Sequence, residues 1–216
     1  MKVRAPKHVL STDSLTVPAE MVLHSQSGLL FLACSSPAKR RHWVPALTVL
    51  EEDETVFHDY IATYDVITGT VTRLTFQGFP TSQGYSSHGM DVVPSASNPE
   101  ELYVYAINHR RPVHGLGKEV GANSVVEIFR TTLGRNTLTH VRTVEDPVID
   151  TPNDIVGSPD GKSFYFTNDH GTKVGFVSIS DNRDPRSVGN TVVAFIDSVA
   201  RVSGVSANLG RLLSRR

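Results

Sequence analysis

Short apolar runs separated by turn residues dominate the chain between residues 20 and 175. The runs are LLFLA (29–33), DYIATYDV (59–66), VTRLTF (71–76), ELYVYAIN (101–108), SVVEIFR (124–130), LTHVRTV (138–144), KSFYFTN (162–168) and VGFVSIS (174–180), all rich in β-branched and aromatic side chains. The stretches ITGT, LGRN and SPDGK between them carry the Gly, Asn, Asp and Pro that tight turns require. No part of this region keeps an apolar period of 3.6 residues over the length of a helix, so the pattern predicts an all-β fold.

Three segments share one shape: polar residues, a short apolar strand, a turn, then a strand of aliphatic and aromatic residues. They are AEMVLHSQSGLLFLACS (19–35), SHGMDVVPSASNPEELYVYAINH (87–109) and PNDIVGSPDGKSFYFTNDH (152–170). Their starts recur about every 65 to 70 residues, a period that suits a four-stranded unit with long connections. Pairs such as YIATYD with VTRLTF, and SVVEIFR with LTHVRTV, have the spacing of hairpins. Repeated four-stranded antiparallel sheets predict a partial β-propeller of about three blades. A sandwich of about eight to ten strands is the architectural alternative.

The chain divides into an N-terminal segment (1–18), the repeating region (19–175) and a tail (176–216) that does not continue the repeat. The tail has arginines at 183, 186, 201, 211, 215 and 216 but no lysine. A helix is expected within it from Thr191 to Val202, with Asn190 as N-cap, and the remainder of the tail is expected to be irregular or disordered.

Composition narrows the function by exclusion. A formal net charge of −1 over 216 residues gives no electrostatic reason to expect nucleic acid as a partner. Cys34 is the single cysteine, so an intramolecular disulfide is impossible. It ends an apolar strand, where a buried structural thiol is the expected reading. No window reaches the ~18 apolar residues of a transmembrane helix, and the N-terminus as written lacks the apolar run of a secretory signal. Compartment stays open. Serine-hydrolase, zinc-protease and nucleotide-loop motifs are missing.

What repeats instead is oxygen donors at the heads of strands: Asn153-Asp154 before one, Asn168-Asp169 after the next. Each pair has a local explanation as turn residues that cap their own backbone. Their recurrence where strands would open onto a central channel also suits a hard cation, and calcium takes about 6 to 8 oxygen ligands. His88, followed by Gly89, and His109, at the end of the YVYAIN strand, would lie near one face of that channel.

SSHGMDVVPSASNPEELYVYAINH, NSVVEIFR and PNDIVGSPDGKSFYFTNDHG resemble the N-terminal half of the serum paraoxonase/arylesterase family, and the likeness extends upstream into SGLLFLACS. It covers about residues 19–175, in wording closest to fungal members. The resemblance implies a six-bladed propeller, two calcium ions in its channel, and hydrolysis of aryl esters and lactones. It implies His88 and His109 as the pair that activates water. It also implies calcium ligands at Asn153, at Asp154 and at the Met90 carbonyl, with Glu20 serving the structural ion. Ala19 stands where the family carries an acidic ligand, so calcium binding is expected to be weak and esterase activity low. The later family ligands and the terminal disulfide have no counterparts, as in a truncated form. Two other readings stay open: a non-catalytic propeller-like binding protein, and a chain that does not fold alone. Exposed strand edges would favour self-association in either case.

Overall fold

A computed structural model describes residues 18–52, 57–80, 82, 84–169, 173–174, 191–196 and 199–201. The N-terminal segment up to residue 17 and the expected strand VGFVSIS, apart from Val174, lie outside the described residues, as does most of the tail.

The fold is mostly β, in three stacked sheets. The first is built from β1 (Pro18–His24), β2 (Leu29–Cys34), β5 (Tyr60–Asp65) and β6 (Val71–Arg73), in that order across the sheet. Between β2 and β5 the chain forms a short helix, α1 (Pro37–Arg40), and a small ribbon of β3 (Trp43–Val44) and β4 (Val49–Leu50). The second sheet runs from β8 (Ser87–Pro94) through β9 (Glu101–Arg110) and β10 (Asn123–Thr132) to β11 (Thr137–Val144), with β7 (Thr75–Gln77) added parallel to β11. A one-turn helix, α2 (Gly117–Val120), links β9 to β10. The third sheet is β12 (Pro152–Gly157), β13 (Ser163–Asn168), β14 (Thr191–Ile196) and β15 (Val199–Arg201).

The hydrophobic pattern explains the stacking. Along β9, Leu102, Val104 and Ala106 enter one core with Phe31, Ala33 and Ile61 of the first sheet. The alternate residues Tyr105 and Ile107 enter a second core with Ile155, Phe164 and Phe166 of the third. The middle sheet is therefore apolar on both faces, which is why ELYVYAIN and SVVEIFR read as nearly continuous runs rather than alternating ones. Two cores on opposite faces of one sheet also rule out the two-layer sandwich. Among the described residues no closed ring of sheets is present, and no helix is long and apolar enough to cross a membrane.

Two expectations are corrected. VTRLTF is not one hairpin strand. Leu74 is buried and donates its N–H to Ile61 O, whereas Thr75 donates to Asn136 O, so the chain leaves the first sheet at β6 and joins the second at β7. The expected helix from Thr191 to Val202 is also absent over its described residues. TVVAFI pairs antiparallel with β13 instead, Phe166 opposite Val193, and turns back into β15. Its β-branched and aromatic composition suits a strand, and β13 without it would present an open edge.

Candidate functional site

One strand of each sheet lies beside the next, β1 against β8 and β8 against β12. Each has an irregular ladder near its start: between Pro18 and Glu20 in β1, Ser87 and Met90 in β8, and Pro152 and Ile155 in β12. Such bulges turn side chains away from the regular alternation and are common beside active sites. Here they bracket Ala19, the His88-Gly89 pair and the Asn153-Asp154 pair.

Gly89 lets the backbones meet. A Cβ at this position would stand 2.2 Å from Asn153 O and 3.0 Å from Asp154 Cα. Only glycine permits that approach, and it sets His88 beside the head of β12. The His88 ring packs edge-on to His109, with centroids 5.1 Å apart and planes at 76°.

His109 is held from three sides. Its N–H donates to Ser86 O at 2.9 Å, its carbonyl accepts from Trp43 Nε1 at 2.9 Å, and its Nδ1 lies 2.8 Å from Ser124 Oγ. Its Nε2 is buried with no hydrogen-bond partner. Burial first, then repulsion from His88 when that ring is protonated and from Arg40 and Lys173, holds this imidazole well below its usual range. His88 is shifted the same way, by burial first and by Arg40 second, while Asp169 and Asp154 pull weakly in the opposite direction. Both rings are neutral bases at pH 7.

The other expected residues divide into two groups. Asn153 donates its amide to the carboxylate of Asp169, leaving its amide oxygen to face other groups. Asp154 is exposed and caps the Ile155 N–H at 2.8 Å. Met90 buries its side chain in the first core, opposite Ala106. Glu20 turns its carboxylate onto the N–H of its neighbour Met21 at 2.9 Å. The charges of Asp154 and Asp169 act on His88, and Asn153 is bonded to Asp169, so these three residues gather near the histidine pair. Among the described residues no three His, Cys, Asp or Glu side chains converge to hold an ion. An amide oxygen with two nearby carboxylates nevertheless has the chemistry of a hard-cation site, short of a full ligand set.

The two halves of Asn168-Asp169 have different roles. Asn168 accepts from Asp150 N and Thr151 N and donates to Val148 O at 2.9 Å, a local clamp on the loop before β12. Asp169 instead reaches the site through Asn153. The sequence presents the pair as a unit; only the antiparallel pairing of β12 with β13 separates them. Trp43 and Ser124 carry no signal in the sequence, being distant along the chain from His109 and unremarkable in type.

The arylesterase family model matches residues 11–212 of the chain. No curated protein matches it at a significant level.

Proposed function

The chain belongs to the arylesterase family, and from that premise we propose that it hydrolyses small carboxylic esters or lactones at the His88–His109 site, with calcium as cofactor and low turnover. The observation that carries this reading is the meeting of three ladder irregularities at the heads of β1, β8 and β12, with two neutral imidazoles in edge-on contact among them. In this reading the three stacked sheets are successive propeller blades and the strand heads line the channel.

The chemistry follows from the side chains. Water attacks the ester carbonyl, and His88, kept neutral by burial, takes the water proton and returns it to the leaving alkoxide or phenoxide. His109, packed edge-on against His88 and fixed through Nδ1 by Ser124, holds the first imidazole in place. Asn153 would hold the catalytic calcium, and Asp154, the Met90 carbonyl and Glu20 would hold a second, structural ion. When bound, the ion would supply polarisation of the ester carbonyl and stabilisation of the developing oxyanion. Ala19 offers no side-chain carboxylate where the family carries an acidic residue, which supports weak binding and low activity.

A non-catalytic binding protein is the second reading, favoured by the missing carboxylate cluster among the described residues. Phenyl acetate and lactone hydrolysis separates the two. The enzyme reading expects turnover that depends on calcium and on His88; the binding reading expects none above buffer.

A further inference from the structure

Asp59 lies just before β5 and is only 6 % exposed. Its N–H donates to Tyr85 O at 2.9 Å, and Tyr85 N–H donates to Phe57 O at 2.9 Å, so the chain beside Asp59 runs along the segment that leads into β8. Its Oδ2 accepts the backbone N–H of Ser87 at 2.9 Å. Ser87 immediately precedes His88.

That bond falls on the outer edge of β8, at the last paired residue before its bulge. Ser87 pairs with Asn108 and Met90 with Ala106, leaving His88 and Gly89 together opposite Ile107. One residue earlier, Ser86 N–H donates to Asn108 Oδ1 at 2.9 Å. Two side-chain acceptors thus receive successive backbone donors at the entry to the bulge. A buried carboxylate is a costly acceptor to place there, because burial pushes Asp59 up to about 6, against the Ser87 bond and the charges of Lys39 and Arg40. Costly groups of this kind concentrate beside functional sites.

We propose that Asp59 is a positioning residue for His88, its carboxylate holding the Ser87 N–H that edge strand β8 turns away from β9 and so fixing the backbone from which the imidazole projects. The catalytic consequence rests on the ester-hydrolase reading above; the structural consequence does not.

The test compares D59A and D59N in the full chain, by amide exchange at Ser87, by the nuclear Overhauser contact between the His88 and His109 rings, and by steady-state kinetics on phenyl acetate. The asparagine keeps an acceptor oxygen, so D59N should retain slow Ser87 exchange, the ring contact and kcat. D59A should speed Ser87 exchange by about 10-fold or more, weaken the ring contact, and lower kcat by about 10- to 100-fold at nearly constant KM. If D59A does not fold, D59V keeps the volume without the acceptor and takes its place. Unchanged Ser87 exchange and ring contact in D59A would overturn the proposal, as would a D59N variant that fails as D59A does. If the parent chain shows no hydrolysis, the ester reading falls, while exchange and ring contact still decide what Asp59 holds.

Discussion

A methyl group added at Gly89 tests the closest approach in the site. The new Cβ would stand 2.2 Å from the Asn153 carbonyl oxygen, where ordinary contact begins at 3.4 Å, and its neighbours at this point are backbone atoms that cannot rotate away. β8 and β12 must part by about 1 Å. Overpacking of this kind costs about 1–3 kcal/mol, and for a chain of 216 residues each kcal/mol lowers the melting temperature by roughly 2–4 °C. A displacement of about 1 Å at a reacting group can cost about 100-fold in rate. Gly89→Ala should therefore melt several degrees lower and lose most of its phenyl acetate turnover. Gly157→Ala is the control: its Cβ would meet the Tyr105 ring at 2.2 Å, a comparable clash further along β12. It should lose stability with a much smaller loss of kcat. If Gly89→Ala melts and turns over like the parent, the close contact of the two strand heads is wrong.

Three other outcomes are expected. Glu127, 1 % exposed, accepts from Asn108 Nδ2 at 3.0 Å and Thr143 Oγ1 at 2.6 Å and lies 3.0 Å from His140 Nε2, so Glu127→Ala strands buried polar groups and should cost about 3–5 kcal/mol in denaturant melts. Asp59 has a folded pKa of about 6 against 3.8 unfolded, so it is least destabilising below pH 3.8 and loses stability as the pH rises toward 6. Asp59→Asn should accordingly gain up to about 3 kcal/mol at pH 7.5, at about 1.36 kcal/mol per pKa unit, and nothing near pH 3.5; an equal gain at both would refute the assignment. His88 and His109 both sit below 6.5 when folded, so the stability from keeping them neutral is complete above pH 6.5 and lost as the pH falls below it. Thermal melts of His109→Asn should show a shallower acid-side loss than the parent.

Much of this was legible in the residues. The strand runs and the threefold recurrence of polar head, strand, turn and strand correspond to β1–β2, β8–β9 and β12–β13, because β-branched density and turn chemistry are local signals. His88-Gly89 and Asn153-Asp154 stood out by type. Their union did not, since the three bulges depend on register between strands that lie far apart in sequence. Asp59 was hidden at the start of the apolar run DYIATYDV, and its role appears only when its carboxylate is seen to accept the Ser87 N–H across the fold. The departure of the chain at Leu74 was equally invisible, because both sides of it have strand-forming residues and only the competing acceptors, Ile61 O and Asn136 O, decide where each half goes.

The central claim is that the histidine pair at the head of β8 and the end of β9 hydrolyses esters with calcium beside it. Phenyl acetate hydrolysis by the purified chain at pH 8, measured with saturating calcium, with EGTA, and in the His88→Gln variant, tests it most directly. The account predicts a low but measurable rate with calcium that falls to the buffer rate in both of the other conditions. Hydrolysis that persists in His88→Gln, or none at all with calcium present, would contradict it.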